Sequence, residues 1–458
     1  MLNKNEIYET EIIDYTTEGS GVCRIGGMTV FVPSAAAGDR AEVRILKTAK
    51  SYAFGKLEKM ISPSPDRICS DCPVSERCGG CLFRHITYEA ELKFKQKRVY
   101  DALTRIGGIS GDIIGSIVGA EKSDHYRNKA QLPAAYDRDG KICVGFFAPR
   151  SHRVIPLKEC MLQSEGFNKA AEIFVKWAEK NHIPPYDETQ HKGVLRHLYL
   201  RYAAKTDELM VCIVANADEL RHEKELVSML CAELPDLRTV VLNINKEKTN
   251  VITGKNCRTL YGSGYITDEL CGLKFRISPL SFYQVNRDQA ERLYGIAADY
   301  AGLQADETLL DLYCGTGTIG LSMAGKAKSL IGVEIIPQAI EDARRNAAAN
   351  GISNAEFICG DASKAAADLN SRGIAPDCII LDPPRKGCGR ELICTAADMK
   401  PKRIVYVSCD PATLARDLAI FAEQGYNTVK ALPVDMFPRT GHVETVALLT
   451  RTALKEFY

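Results

Sequence analysis

The residue with the clearest chemical potential is a cysteine that follows a run of apolar residues. Ile404 to Val407 predict a buried strand, and Ala412 to Gln424 have the pattern of a helix. Cys409 therefore lies where a strand ends, the edge at which open α/β sheets bind ligands. With Asp410 as N-cap and Pro411 at the first helical position, the helix dipole is expected to favour the nucleophilic thiolate. The position alone is equally typical of a buried structural cysteine.

A glycine-rich turn precedes this cysteine by about one hundred residues in the same α/β pattern. Thr308 to Leu312 predict a strand, Tyr313-Cys314-Gly315-Thr316-Gly317 opens a helix, and Ser329 to Val333 predict the next strand, which ends in Glu334. Strand, glycine turn, helix and acidic strand end together indicate a nucleotide-type fold, in which Glu334 can hold ribose hydroxyls. Nicotinamide enzymes have the same turn, so the cofactor must be inferred from other residues.

Two further strands are predicted to end in carboxylates, Phe357 to Asp361 and Cys378 to Asp382. Acidic residues at several strand ends on one sheet edge indicate a single cleft. Asp382 continues into Pro383-Pro384, a type of loop that lines the target pocket of methyltransferases that use S-adenosyl-L-methionine. Asp311 is expected only to stabilise the glycine turn.

Four cysteines lie close together near the N-terminus, at Cys69, Cys72, Cys78 and Cys81. Two CxxC pairs would make a four-thiolate zinc site, whereas a Cys72, Cys78 and Cys81 triplet closed by a distant cysteine would make an iron-sulfur site. Spacing alone slightly favours zinc. The candidate for the distant ligand is Cys160.

The sequence predicts three domains. Residues 1–60 have short runs of alternating apolar and polar residues and glycine turns, which are typical of a small β-barrel. Residues 66–270 predict an α+β domain with a long helix at 88–107 that could pack on the catalytic domain. Residues 271–458 predict a Rossmann-like domain. Lysines alternate with aromatic side chains in the predicted barrel, a pattern that would let single-stranded RNA bind by phosphate contacts and base stacking. The same pattern is equally consistent with a strand face that is only exposed to solvent. These residues are Lys47, Lys50, Lys56, Lys59, Tyr52 and Phe54. The polar side of the long helix carries Lys93, Lys95, Lys97, Arg98 and Arg105, either a phosphate-facing stripe or a solvated face.

Composition restricts the cellular setting. The chain has 458 residues, 45% apolar and 26% charged, with a formal net charge of +1 and 17 cysteines. A nucleic-acid partner would therefore need locally clustered cations. Neither an export signal nor a membrane-spanning run is evident, so we expect a cytoplasmic protein whose cysteines are reduced, with no membrane and no evident obligate protein partner.

Six motifs point to one family: Cys72-x5-Cys78-Gly79-Gly80-Cys81 with Cys160, Ser281-Phe282-Tyr283-Gln284-Val285-Asn286, Asp311-Leu312-Tyr313-Cys314-Gly315-Thr316-Gly317, Leu381-Asp382-Pro383-Pro384-Arg385, Ser408-Cys409-Asp410-Pro411 and His442-Val443-Glu444-Thr445-Val446. With them the sequence resembles the RNA 5-methyluridine methyltransferases over nearly its whole length. It is most similar to the 23S rRNA (uracil-5-)-methyltransferases, which combine an OB-like TRAM barrel, a [4Fe-4S] domain and a Rossmann-like catalytic domain.

The resemblance implies site residues. It implies that a [4Fe-4S] cluster, and not zinc, is held by Cys72, Cys78, Cys81 and Cys160, which leaves Cys69 as a spare thiol. It also implies that S-adenosyl-L-methionine and the shared pocket are contacted by Gln284, Tyr313, Glu334, Asp382 and Asp361, the last at the adenine end.

The resemblance further implies a mechanism. Carbon 5 of uracil is a poor nucleophile, and a thiolate that adds at carbon 6 makes it enolate-like. Cys409 would be that thiolate, and Glu444 the base that removes the carbon 5 proton. Asp382 would contact the uracil edge, and Phe282 would stack on the flipped base.

Four alternatives remain open: a tRNA T-loop uridine enzyme, an RNA 5-methylcytosine enzyme, an amino-group methylase, and a metal-stapled RNA-binding protein without activity. A cytosine enzyme would normally pair two cysteines, and an amino-group methylase would need none. The TRAM barrel and the cluster favour 23S rRNA over tRNA as the RNA partner, at one or two uridines.

Overall fold

The structure, a computed structural model, describes residues 2–451. The chain divides into two compact units that are not contiguous in sequence. Unit 1 comprises Met1–Lys97, Phe146–Leu157 and Phe437–His442, and unit 2 comprises Arg98–Gly145, Lys158–Met436 and Val443–Tyr458.

Unit 1 contains a six-stranded sheet in the order β1-β5-β6-β4-β3-β2. The strands are β1 (Ile7–Glu11), β2 (Asp14–Tyr15), β3 (Gly21–Ile25), β4 (Met28–Val32), β5 (Arg40–Thr48) and β6 (Tyr52–Ser62). Alternating residues such as Val30, Val43 and Ile45 are completely buried in its core. Strand β1 ends at Glu11. Ile12 is buried there, but its N–H donates to the Asp39 carbonyl at 2.9 Å.

Helix α1 (Tyr88–Arg105) begins as predicted and crosses the boundary between the units in sequence. In unit 1, Lys95 has no exposed surface, and its Nζ lies 2.6 Å from Glu91 Oε1. Lys95 is therefore not part of a stripe that faces solvent or phosphate. In unit 2, Val99 and Leu103 belong to the same core as Leu310 and Leu418.

The middle of the chain forms a mixed sheet. The strands that unit 2 contributes to it lie in the order β13-β12-β11-β10-β7-β8. The strands are β7 (Lys129–Tyr136), β8 (Ile142–Phe147), β9 (Val154–Pro156), β10 (Leu195–Ala203), β11 (Glu208–Ala215), β12 (Leu237–Ile244) and β13 (Asn256–Gly262). The helices are α2 (Glu165–Lys180) and α3 (Glu223–Glu233), and a hairpin of β14 (Ile266–Leu270) and β15 (Leu273–Ile277) follows. Strands β7 and β8 pair antiparallel, and so do β10 and β11, as expected of an α+β domain.

The last part of unit 2 is a seven-stranded sheet in the order β18-β17-β16-β19-β20-β22-β21. Its strands are β16 (Thr308–Leu312), β17 (Ser329–Glu334), β18 (Ala355–Cys359), β19 (Cys378–Leu381), β20 (Arg403–Ser408), β21 (Tyr426–Val434) and β22 (Glu444–Arg451). The helices are α4 (Arg287–Ala301), α5 (Thr318–Ala324), α6 (Pro337–Ala349), α7 (Ala362–Ser371), α8 (Arg390–Asp398) and α9 (Pro411–Glu423).

The direction of β22 positions the site. Strands β16 to β20 are parallel, whereas β22 pairs antiparallel with β20 and with β21. The beginning of β22 therefore lies at the edge where the parallel strands end. Within residues 2–451, no helix is both long and apolar enough to span a bilayer.

Candidate active site

Three of the predicted site residues meet at one edge of the seven-stranded sheet. Cys409 follows the last residue of β20, and Glu444 is the first residue of β22. Because Ser408 pairs with Thr445, the cysteine and the glutamate come side by side on neighbouring strands. Asp382 follows β19, the other neighbour of β20. The fold thus brings a nucleophile and two carboxyl groups together from three separate stretches of chain.

The two carboxyl groups have perturbed acidities. Glu444 is only 7% exposed, and burial, with help from the charge of Asp382, raises its pKa to about 8. Burial likewise raises the pKa of Asp382 to about 7. Arg385 opposes the shift at Glu444. A carboxyl group that titrates near neutral pH can both accept and return a proton during a reaction.

The Cys409 thiol is less acidic than the sequence predicted. Burial, followed by the charges of Glu444 and Asp382, raises its pKa to about 11, and Arg385 lowers it only in part. Helix α9 does begin as predicted, but the Asp410 carboxylate caps it by accepting from the N–H groups of residues 412 and 413, each at 3.0 Å. The sequence predicts that the helix dipole favours the thiolate, whereas burial and the two carboxylates favour the thiol. The thiol needs a base when it reacts.

The glycine turn brings the backbone close to Glu334. The Gly315 N–H donates to Glu334 Oε2 at 3.2 Å, and the Ile336 N–H donates to Oε1 at 2.9 Å. Each carboxylate oxygen retains a lone pair that can accept from ribose hydroxyls. Tyr313 has a φ of +74°, a conformation that residues other than glycine rarely adopt. Gly317, at +83°, continues the turn.

Asp311 supports the glycine turn, as predicted. Its Oδ2 accepts from the Gly320 N–H at 3.0 Å. A Cβ at Gly320 would lie 2.7 Å from that oxygen, which explains the glycine. Burial and the charge of Asp382 raise the pKa of Asp311 to about 7.

Asp361 differs from the sequence prediction. Strand β18 ends at Cys359, two residues early, so Asp361 is not at a strand end. The exposed carboxylate caps α7, where its Oδ1 accepts from the N–H groups of Ser363 at 3.1 Å and Lys364 at 3.2 Å. A contact with adenine remains a prediction for this residue.

Gln284 is held from two sides. Its carbonyl accepts from Asn128 Nδ2 at 2.9 Å. Its side chain hydrogen-bonds the hydroxyl of Tyr294, a contact that opposes the upward shift of the tyrosine pKa caused by burial. The same hydroxyl lies 3.1 Å from Thr318 Oγ1 and is influenced by the charge of Asp382. Tyr294 therefore connects three parts of the site, and sequence reasoning missed it because it lies inside an ordinary amphipathic helix.

A second missed residue anchors the loop after Asp382. Asp417, completely buried on α9, accepts at Oδ2 from the Cys388 N–H at 2.7 Å and from the Tyr406 hydroxyl at 2.6 Å. Arg416 donates to the Lys386 carbonyl at 2.9 Å. The signal available in the sequence was an aspartate on the apolar face of α9.

Phe282 has the exposure that its predicted role requires. Its side chain is 62% exposed, although its neighbours Ser281 and Tyr283 are buried. Ser281 Oγ donates to Asp342 at 2.9 Å, and the Ser281 carbonyl accepts from Arg201. The backbone on both sides of the ring is thus fixed, and the ring is available to stack on a base.

The predicted metal ligands divide between the units. Cys72, Cys78 and Cys81 belong to unit 1, and Cys160 belongs to unit 2. The Gly80 N–H donates to Cys78 Sγ at 3.4 Å, the kind of hydrogen bond that tunes cluster thiolates. No group of three or more His, Cys, Asp or Glu side chains in residues 2–451 is arranged to hold a metal ion. The donor chemistry suits a soft metal, and the assembled cluster remains a prediction.

Comparisons with known proteins agree with this architecture. Residues 87–452 match the tRNA (Uracil-5-)-methyltransferase family, and residues 3–57 match the TRAM domain. An RNA methyltransferase of Halalkalibacterium halodurans, itself uncharacterised, is 44% identical over 448 residues, with 98% of each chain covered. A similar protein of Clostridium tetani is 44% identical over 449 residues, covering 98% of this chain and 97% of that one.

A solved structure is similar over nearly the whole chain. It is the Pyrococcus abyssi tRNA (uracil-54, C5)-methyltransferase in complex with S-adenosyl-L-homocysteine, with a TM-score of 0.80, 28% identity, and 96% of this chain and 99% of that chain covered. The fold and its site define an S-adenosyl-L-methionine-dependent methyltransferase with a Rossmann-like domain and an N-terminal TRAM domain. Within that class, the chain belongs to the uracil-5 RNA methyltransferase family.

Proposed function

We propose that this protein methylates carbon 5 of one or two uridines in 23S rRNA, with Cys409 as nucleophile and Glu444 as base. The observation that carries the proposal is the pairing of Ser408 with Thr445, which aligns Cys409 and Glu444 at the sheet edge that Asp382 also reaches. S-adenosyl-L-methionine supplies the methyl group when bound.

The residues at the site suit each step. Cys409 loses its proton to a neighbouring carboxylate and adds to carbon 6 of uracil, so that carbon 5 gains enolate character. After the methyl group has transferred, Glu444 takes the carbon 5 proton, and the electron pair of that C–H bond re-forms the double bond between carbons 5 and 6. Sulfur leaves carbon 6 as a thiolate and recovers its proton from the carboxyl group that accepted it. With a pKa of about 8, this carboxyl group can take up that proton near neutral pH. Asp382 hydrogen-bonds the uracil edge.

Other contacts of the site favour cofactor and base binding. Glu334, oriented by the Gly315 and Ile336 N–H groups, accepts from the ribose hydroxyls. Gln284 and Tyr313 line the same pocket, and Asp361 lies at its adenine end. Phe282, exposed beside a fixed backbone, stacks on the flipped base.

The RNA substrate has a second candidate. The Pyrococcus abyssi structure is that of a tRNA enzyme, and its 28% identity over 96% of this chain supports a tRNA T-loop uridine as the target. The N-terminal TRAM region does not separate the two candidates, because the tRNA enzyme is similar over 96% of this chain. The cysteine motif, which resembles that of the 23S rRNA enzymes, favours 23S rRNA.

Labelled methyl transfer distinguishes the two substrates. Unmodified 23S rRNA and unmodified tRNA are incubated separately with labelled S-adenosyl-L-methionine, and the products are digested and mapped by mass. We expect 5-methyluridine in 23S rRNA, and the mapping shows whether one or two sites react. Label only in tRNA would assign the chemistry to the other substrate, and 5-methylcytidine or no label in either RNA would contradict the proposal.

We also propose that Cys72, Cys78, Cys81 and Cys160 hold a [4Fe-4S] cluster with a structural or RNA-positioning role. Protein purified without oxygen should contain about four iron and four sulfide ions per chain. Cys81→Ser should lose both, whereas Cys69→Ser should keep both. Stoichiometric zinc instead of iron would contradict the cluster. A Cys81→Ser protein that folds and binds RNA normally but loses only the chemical step would contradict the proposed role.

A further inference from the structure

Three cations in unit 2 lie close together although each repels the others. Lys129 on β7 and Arg201 on β10 are direct partners in the antiparallel register. Like charges in this arrangement destabilise a sheet. Arg127 precedes Lys129 by two residues, and the charges of both arginines, after burial, lower the pKa of Lys129 to about 8. The protein therefore maintains an unfavourable arrangement here.

The charges that act on Lys129 are those of the two arginines, and no carboxylate of residues 2–451 offsets them there. Arg201 donates from Nε to the Tyr199 hydroxyl at 2.5 Å and from Nη2 to the Ser281 carbonyl, both neutral oxygens. Arg127 Nε is buried without a hydrogen-bond partner in residues 2–451. Buried or half-buried cations without an acidic partner indicate an anionic ligand.

The location identifies which anion fits. Arg201 bonds the Ser281 carbonyl, next to the exposed ring of Phe282 on which the target base is expected to stack. Arg127 also borders a cavity of about 290 Å³, whose wall includes Lys122. The two carboxylates in that wall, Glu121 and Asp288, pair with Arg292 and Arg287. A nucleotide whose base lies on Phe282 carries its phosphate within a few ångströms of the base, and Arg201 bonds the backbone one residue before that ring.

We propose that Arg127, Lys129 and Arg201 form an anion site for the phosphodiester group next to the target uridine. This inference rests on the proposed RNA substrate. The phosphate would supply the counter-charge that the protein lacks, so that the repulsion among the three cations becomes attraction when RNA binds. Since such a contact carries no sequence information, it would hold the backbone while the base enters the pocket.

The test is the salt dependence of RNA binding. Affinity for a single-stranded oligouridylate of about twenty nucleotides is measured between about 50 and 200 mM salt, for the full-length protein and for Lys129→Gln. Each lost phosphate contact should reduce the slope of log K against log salt by about 0.7. Lys129→Arg, which keeps the charge, should retain the slope. Lys141→Gln, which changes an exposed lysine after the β7 hairpin turn, is the matched control and should also retain it.

Two further measurements distinguish the alternatives. S-adenosyl-L-homocysteine affinity should be unchanged in Lys129→Gln, and the free energy of unfolding should be unchanged or higher because repulsion is removed. An unchanged salt slope would overturn the proposal. A loss of S-adenosyl-L-homocysteine affinity would assign the cations to the amino-acid carboxylate of the cofactor, and a loss of stability would assign Lys129 a structural role. Because binding is measured without methylation, these outcomes are independent of the proposed reaction.

Discussion

At the scale of single residues, the chemistry depends on how burial changes ordinary side chains. Cys409, Glu444 and Asp382 were all identified as site residues from the sequence, but their acidities were not. Burial raises the pKa of each one, to about 11, about 8 and about 7 respectively, and neighbouring carboxylates add to the shifts of Cys409 and Glu444. Sequence spacing contains no information on desolvation, which arises only when three strands meet.

Removal of the thiol should abolish the reaction. Cys409→Ala should lower kcat by about a thousandfold or more, because the variant lacks the thiol that we propose adds at carbon 6. The measurement is methyl transfer to the accepted RNA under saturating conditions. Cys394→Ala, a change at a half-buried cysteine of α8, is the control and should stay near full activity. Retained activity in Cys409→Ala would favour an amino-group methylase.

The acidity of Glu444 should appear in the pH profile. The base must be ionised to remove the carbon 5 proton, so kcat/KM should rise with pH and level off above about 8. Glu444→Gln should lose nearly all turnover. This group titrates over the range from roughly pH 6 to roughly pH 8 and above, and a wild-type kcat/KM that falls with pH over that range would contradict the assignment.

The same group should cost stability at high pH. The pKa of Glu444 is raised from 4.5 to about 8 in the folded protein, so the folded state binds more protons than the unfolded state between these values. Stability should therefore fall as pH rises through this window. Relative to Glu444→Gln, the wild type should be less stable at pH 9 by roughly 5 kcal/mol and similar at pH 4. Denaturant unfolding at both pH values measures this, with the exposed Glu356→Gln as control.

At the scale of elements, the sequence predicted strands well and supporting contacts poorly. Thr308–Leu312 has the predicted bounds because the glycine turn that begins at Tyr313 ends the strand. The strand near Asp361 ends early because that carboxylate caps α7. Tyr294 and Asp417 were missed because helical residues gain their importance from partners far away in sequence. The cation cluster was missed for the same reason.

Asp417 gives a test at this scale. Asp417→Ala removes the shared acceptor of the Cys388 N–H and the Tyr406 hydroxyl, and should reduce the free energy of unfolding by about 2 to 4 kcal/mol. Tyr406→Phe, which removes one donor and keeps the ring, should cost about 1 kcal/mol. Both are measured by urea unfolding. Equal stability of Asp417→Ala and the wild type would show that the anchor contributes nothing.

At the scale of the whole molecule, composition and motifs predicted an N-terminal barrel, a central α+β domain and a C-terminal Rossmann-like domain. The TRAM and Rossmann-like domains are confirmed. Its domain boundaries were drawn as consecutive blocks, whereas unit 1 includes Phe437–His442 and unit 2 resumes at Val443. The segment assigned to unit 1 therefore ends two residues before Glu444, the first residue of β22. Only the three-dimensional structure reveals that this short segment belongs to unit 1, because most of unit 1 lies more than 300 residues earlier in the sequence.

The central claim is that Cys409 attacks carbon 6 and that Glu444 completes the reaction, and a trapped adduct tests it most directly. RNA containing 5-fluorouridine is incubated with S-adenosyl-L-methionine, because the fluorine at carbon 5 cannot be removed as a proton. We predict a protein-RNA complex that survives denaturation, carries the transferred methyl group, maps to Cys409 by mass spectrometry, and is absent for Cys409→Ala. No adduct from the wild type on an RNA that it methylates, or an equal adduct from Cys409→Ala, would contradict the account.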